Sequence, residues 1–256
     1  MLITLAVIVV PLSADLTGIT TTPANLPAKP SEMTVGGGYL WILTEAGNLG
    51  KLAPGGAYVE FPLQFGNSQF GFTNASNFVY GFDGNVWVTG RNGHIERVTP
   101  SGAVTDFAAV PGILTQSNIT NGADGALWFF DVPQFGSTSD NNSKLGRIDI
   151  YGQVTTYGLG LGTDFLGGLV TGGDGNLWFV DTAKNEVAKF SISTKSVAGT
   201  YTMPSKQNGG GQMILGLDGN LWFTHGTSVD RVKPDGTITE FNVPSGGQPS
   251  DIAVAG

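Results

Sequence analysis

Apolar positions in this chain come in short, dense runs, each built around a tryptophan and bounded by glycine or aspartate. The runs are Leu40-Trp41-Ile42-Leu43, Val86-Trp87-Val88, Leu127-Trp128-Phe129-Phe130, Leu177-Trp178-Phe179-Val180 and Leu221-Trp222-Phe223. Runs of this length predict strands, and side chains apolar on both faces predict strands sandwiched between layers. Four of them follow an Asp-Gly pair, in Asp83-Gly84-Asn85, Asp124-Gly125-Ala126, Asp174-Gly175-Asn176 and Asp218-Gly219-Asn220, and the first follows Gly37-Gly38. Asp-Gly between apolar runs predicts a tight hairpin in which glycine, and less readily aspartate, takes a positive φ. Each unit therefore opens on two paired strands.

A second turn follows in every unit, at Pro54-Gly55-Gly56, Pro100-Ser101-Gly102, Tyr151-Gly152, Ser193-Thr194-Lys195 and Pro234-Asp235-Gly236. The segments after it, Val59 to Phe61, Val104 to Phe107, Val154 to Tyr157, Val197 to Tyr201 and Ile238 to Phe241, are rich in β-branched and aromatic residues and read as further strands. All five tryptophans recur at one point of this unit, with spacings of 46, 41, 50 and 44 residues. Four strands at a period of 40 to 50 residues predict the blades of an all-β propeller. Burying one indole removes roughly 150–250 Å² from water, worth about 4–6 kcal/mol before entropy is subtracted, so packing alone accounts for the repeated tryptophan. Five complete blades fit between Pro30 and Gly246, within a propeller domain expected over 30–256. The tail from Gln248 to Gly256 reads as the first strand of a further blade, and Ile3 to Pro11 as an outer strand, so that a complete ring would have six or seven blades.

Composition narrows the class. Glycine supplies 40 of 256 residues and charged residues only 12 %, which argues against a helical protein, while 40 % hydrophobic residues suffice for a core. A net charge of −8 makes nucleic acid or an anionic lipid surface an improbable partner. The absence of cysteine excludes thiolate catalysis, disulfides and thiolate metal sites. Residues 1–29 form a separate segment. Its apolar run from Leu2 to Val10, followed by Pro11 to Ala14, reads either as a secretory signal or as a buried strand, and it is too short to span a bilayer. Low charge and absent cysteine favour an extracytoplasmic protein, periplasmic or secreted, with no stable membrane span.

The run from Asp-Gly-Asn-Leu-Trp-Phe, through Lys144-Leu145-Gly146-Arg147-Ile148, to Pro234-Asp235-Gly236-Thr237-Ile238-Thr239-Glu240-Phe241 resembles the virginiamycin B lyase (streptogramin lyase) propellers over about 215 residues. Related repeats occur in gluconolactonase-like, NHL and sensor propellers, so the resemblance implies a fold more firmly than an activity. It implies a seven-bladed ring that opens the lactone of a cyclic depsipeptide by elimination. A histidine on a loop entering a first strand would be the base, and acidic groups, one just after the second-strand tryptophan, would hold magnesium. At the place of that histidine this chain carries Ser31, Ser76, Ser117 and Ser250.

In a propeller the connection from second to third strand shares a face with the connection between blades. The residues just past each tryptophan run, Glu45, Gly90, Asp131, Asp181 and His225, are therefore expected at the channel mouth. Glu45, Asp131 and Asp181 are candidate oxygen ligands for Mg²⁺ or Ca²⁺. His225 is the candidate base, since an imidazole titrates near neutral pH. His94 and Arg91, on the same connection of the second unit, join Asp131 and Asp181 as candidate ligand contacts. The polar insertion from Val132 to Ser143 reads as a lid or a tolerated surface loop. Gln207 to Gln212 lacks the lysine of a phosphate loop, and no serine, histidine and aspartate triad can be assembled. Two functions remain open: a metal-assisted lyase or lactone-opening enzyme, and a non-catalytic binding or sensing propeller for a small molecule, peptide or glycan.

Overall fold

The computed structural model describes residues 4–5, 24–65, 75–90, 93–107, 115–132, 143–162, 166–207, 210–244, 247–249 and 251–254. Arg91, most of the run from Leu2 to Val10 and of the insertion between Val132 and Ser143, and the stretch 208–209 lie outside them. The described residues hold twenty-two strands and no helix. None of their elements is a helix long and apolar enough to cross a membrane.

A short antiparallel pair, β1 (Thr4–Leu5) with β2 (Ala24–Asn25), precedes five four-stranded antiparallel sheets. Blade I is β3 (Pro30–Gly36), β4 (Tyr39–Thr44), β5 (Asn48–Leu52) and β6 (Tyr58–Pro62). Blade II is β7 (Ala75–Tyr80), β8 (Val86–Gly90), β9 (Ile95–Val98) and β10 (Val104–Phe107). Blade III is β11 (Thr115–Asn121), β12 (Leu127–Val132), β13 (Lys144–Ile148) and β14 (Val154–Gly158). Blade IV is β15 (Leu166–Thr171), β16 (Leu177–Asp181), β17 (Glu186–Ser191) and β18 (Ser196–Thr202). Blade V is β19 (Gly210–Leu215), β20 (Leu221–His225), β21 (Ser228–Val232) and β22 (Ile238–Asn242). First strands of successive blades pack side by side, which makes them the innermost strands of a five-blade propeller.

In its described part the amino-terminal run pairs with a nearby segment, Thr4 and Leu5 lying opposite Asn25 and Ala24. The described residues of the tail, 247–249 and 251–254, form no strand.

The indoles join the blades. Trp41 packs against Val86, Val88 and Val98 of blade II, Trp87 against Leu127, Phe129 and Ile148 of blade III, Trp128 against Leu177 and Phe179 of blade IV, and Trp178 against Leu221, Phe223 and Val232 of blade V. These four are at most 1 % exposed, whereas Trp222, with no described blade beyond it, is only half-buried. The Asp-Gly turn differs from the two-residue hairpin expected. Gly84 donates its N–H to the Gly81 carbonyl at 3.0 Å and Gly81 donates to Asn85 at 2.8 Å, with the positive φ of 77° on Gly84 alone. The turn is thus a three-residue one with glycine in the left-handed position. Aspartate keeps a negative φ because its side chain is engaged below the turn, where Asp83, Asp124, Asp174 and Asp218 accept the indole N–H of the tryptophan four residues on, at 3.0–3.3 Å.

Candidate functional site

Every first strand carries a bulge at its start. The register breaks between Pro30 and Glu32, Ala75 and Asn77, Ser117 and Ile119, Gly167 and Val170, and Gly210 and Met213. A bulge re-aims the side chain beside it. Here the re-aimed residues are Glu32, Asn77, Asn118, Gly168 and Gln212, and they tie the inner strands together. Asn77 Nδ2 donates to Glu32 Oε1 and Oε2 at 2.9 and 3.1 Å, and Asn77 Oδ1 accepts the Ile119 N–H at 3.0 Å. Asn118 Nδ2 reaches Gln212 Oε1 at 3.4 Å, from blade III to blade V. Blade IV offers Gly168, whose φ is 63°, so no side chain intervenes. Asn118 and Gln212 thus meet across the glycine of the intervening blade, at the bulged starts of the inner strands. Burial raises the Glu32 carboxyl above its ordinary value, opposed by the Asn77 bond and the Phe78 N–H, while Asp251 in the tail adds to the rise. The serine expected at the place of a base does structural work in blade I, where Ser31 Oγ donates to the Leu43 carbonyl at 3.0 Å.

The residues singled out from the sequence occupy different surroundings. Strand register puts Thr44, Gly90, Asp131, Asp181 and His225 at equivalent places. Glu45 stands one residue further on, beyond the end of β4, about half exposed and ion-paired to Lys29 at 2.5 Å. Asp131 is 8 % exposed beside its cross-strand partner Lys144; burial raises its carboxyl and the lysine opposes the rise. Asp181 is buried and accepts the Lys184 N–H at 3.2 Å. Among the described residues the donor atoms of Glu45, Asp131 and Asp181 do not all lie within 4.8 Å of one another. His94 is one-third exposed, with Nδ1 2.9 Å from both oxygens of Asp106.

His225 is 1 % exposed, on the face of blade V that packs against blade IV. Register carries that face along a diagonal: Phe223 is opposite Asp230, and Asp230 is opposite Glu240. The three side chains bring donor atoms within 4.8 Å of one another. Neither ring nitrogen of His225 has a hydrogen-bond partner, nor does Asp230 Oδ2, although Nδ1 and Oδ2 are 3.4 Å apart. Ser228 Oγ lies 2.7 Å from Asp230 Oδ1, and Ser205 Oγ bonds Glu240 Oε2. Sequence reasoning singled out His225 but missed its two partners. A signal existed: the place of Asp230 is Gly50, Gly146 and Ala188 in three other blades, so an acid there is a departure from a small residue.

The virginiamycin B lyase family model matches residues 18–256. Among solved structures, selenomethionine-substituted virginiamycin B lyase from Staphylococcus aureus is 26 % identical with a TM-score of 0.77, covering 94 % of this chain and 80 % of its own. A catalytically inactive histidine-to-alanine virginiamycin B lyase from Staphylococcus aureus with quinupristin is 24 % identical with a TM-score of 0.78, at the same coverage of both chains. The extracellular domain of a one-component system protein from B. thetaiotaomicron has the same architecture at 15 % identity and a TM-score of 0.61, covering 83 % of this chain and 30 % of that one. No curated protein sequence matches the chain. With its repeated blades, indole wedges and matched family model, the chain belongs to the virginiamycin B lyase family.

Proposed function

We propose that this chain is an extracytoplasmic ligand-binding propeller that takes an amide-rich small molecule or peptide at the mouth of its channel. The observation that carries the reading is the meeting of Asn118 and Gln212 across the blade between them. Primary amides both donate and accept, as peptide groups do, and at 3.4 Å this pair is held loosely enough to exchange its bond for bonds to a ligand. Glu32, held by Asn77, places an acceptor beside them for an N–H or an ammonium group. The inner strands Pro30–Gly36, Ala75–Tyr80, Thr115–Asn121, Leu166–Thr171 and Gly210–Leu215 contain no histidine to drive chemistry there. Location outside the cytoplasm is supported by the extracellular domain that shares the fold.

A second reading, a carbon–oxygen lyase that opens a cyclic depsipeptide lactone, is supported by family membership. It requires a base to take the proton next to a carbonyl while the ester C–O bond breaks and its carboxylate leaves. His225 would have to become accessible for this, and Asp131 and Asp181 would have to converge on magnesium or calcium. Quinupristin, present in the histidine-to-alanine relative, separates the readings. Equilibrium dialysis against this chain, followed by chromatography of the recovered compound, should show saturable retention of the intact molecule. Progressive appearance of a ring-opened isomer, abolished by His225→Ala, would establish the lyase instead. No retention of quinupristin or of linear and cyclic peptides would remove the binding reading.

A further inference from the structure

We propose that His225, Asp230 and Glu240 form a binding site for one divalent transition ion of the zinc class, a staple across β20, β21 and β22 that is independent of the channel mouth. The repeat does not require such a cluster. At the places of Asp230 and Glu240, blade III has Gly146 and Thr156 and blade IV has Ala188 and Thr200. In blade II the equivalent Glu96 and Asp106 are taken up by the Gln64 N–H and by His94 Nδ1. Among the described residues blade V alone adds a buried imidazole whose two nitrogens lack a hydrogen-bond partner, facing a buried carboxylate oxygen that lacks one too.

The separation of imidazole and carboxylate, with no hydrogen bond between them, suits a shared ion. A nitrogen-to-carboxylate bond is about 2.7–3.2 Å long. His225 Nδ1 and Asp230 Oδ2 stand at 3.4 Å. Zinc bound to nitrogen and oxygen at about 2.0–2.2 Å in a tetrahedron puts neighbouring donors about 3.4 Å apart. Glu240 completes the set from the third strand. Its donor lies within 4.8 Å of the others, and as the half-buried member it has the freedom to close that gap. The surroundings orient the ligands as outer groups do in metal centres. Ser228 occupies Asp230 Oδ1 and leaves Oδ2 facing the imidazole, while Ser205 fixes Glu240 from the segment joining blades IV and V. An imidazole with two carboxylates in a nearly dry pocket suits zinc better than magnesium or calcium, which prefer all-oxygen shells that retain water. Three protein ligands leave a fourth position for one water.

The test strips the full chain with a chelator and titrates it with zinc, following heat and the midpoint of thermal unfolding, with magnesium and calcium in excess as competitors. The expected result is one zinc per chain, a midpoint raised by several degrees and no displacement by the competitors. Losing a ligand should exceed the roughly 10–100-fold loss typical of outer groups, so His225→Ala and Glu240→Gln should each weaken zinc by about 100-fold or more. Glu240→Gln, at a half-buried outer-strand position, keeps the test decisive where His225→Ala fails to fold. Cobalt in place of zinc should give the strong visible absorption of a tetrahedral site. Absence of stoichiometric zinc, zinc affinity unchanged in Glu240→Gln, or zinc lost on His94→Ala instead would overturn the proposal.

Discussion

Glu96 is fully buried on β9, and both of its oxygens accept the Gln64 N–H, at 2.8 and 3.0 Å. Burial pushes its carboxyl up to about 7; the Gln64 N–H opposes the rise, Asp106 adds to it and His94 opposes it. Between the ordinary value of 4.5 and about 7 the folded chain therefore holds a proton that the unfolded chain has released. Stability from this group is full below the lower value and lost as pH rises through the upper one, by up to ~3 kcal/mol. Glu96→Gln keeps an acceptor for Gln64 and should flatten the pH profile of the unfolding midpoint across that window; an unchanged slope contradicts the assignment. Asp124 works in the opposite sense. Burial would raise its carboxyl, but the Trp128 indole N–H at 3.0 Å and Arg147 Nε at 2.7 Å outweigh it and hold the group below its ordinary value. Asp124→Ala strands a buried indole N–H and should cost about 1–3 kcal/mol in urea unfolding.

The hairpin between first and second strands shows why each element needs its own glycines. Gly122 sits where a Cβ would come within 2.3 Å of Trp128 Cδ1, because the turn is folded down onto the indole. Gly125 has open space around it but a φ of 74°. Gly122→Ala should therefore cost at least ~2 kcal/mol through forced repacking, and Gly125→Ala about 1 kcal/mol through backbone strain. Equal costs in denaturant titrations would contradict this division. The blades themselves were legible in the sequence because the indole, the Asp-Gly pair and the second turn recur in phase. The turn type was not, since the reach of Asp124 to an indole four residues away is a three-dimensional requirement on its φ. Glu45 was out of step by one residue, four after Trp41 where Gly90, Asp131, Asp181 and His225 are each three after their tryptophan, and pairing with β3 ends at Thr44. The cluster of His225, Asp230 and Glu240 was illegible for a related reason: its members are on three strands and meet only through cross-strand register.

Across the whole molecule, the indoles record how far the wedge of blades extends. Trp41, Trp87, Trp128 and Trp178 are sealed by the following blade, and among the described residues Trp222 stacks on its own blade's Phe241 and Arg231. A neutral quencher should thus reach one of five tryptophans in the folded chain, and Trp222→Phe should remove the quenchable fraction; quenching that persists would show that another indole is open. The same stacking of blades brings the bulged starts of the first strands together, so that side chains as distant in sequence as Asn118 and Gln212 meet. That convergence was not read from the sequence, where attention to the residues after the tryptophans passed over the amides on the strands opposite. The most direct test of the account is a calorimetric titration of quinupristin into the wild-type chain and into Asn118→Ala/Gln212→Ala. The account predicts saturable binding to the wild type, weakened about 10-fold or more in the double variant as roughly two hydrogen bonds are lost. Equal affinity in both proteins, with both folded, would contradict it.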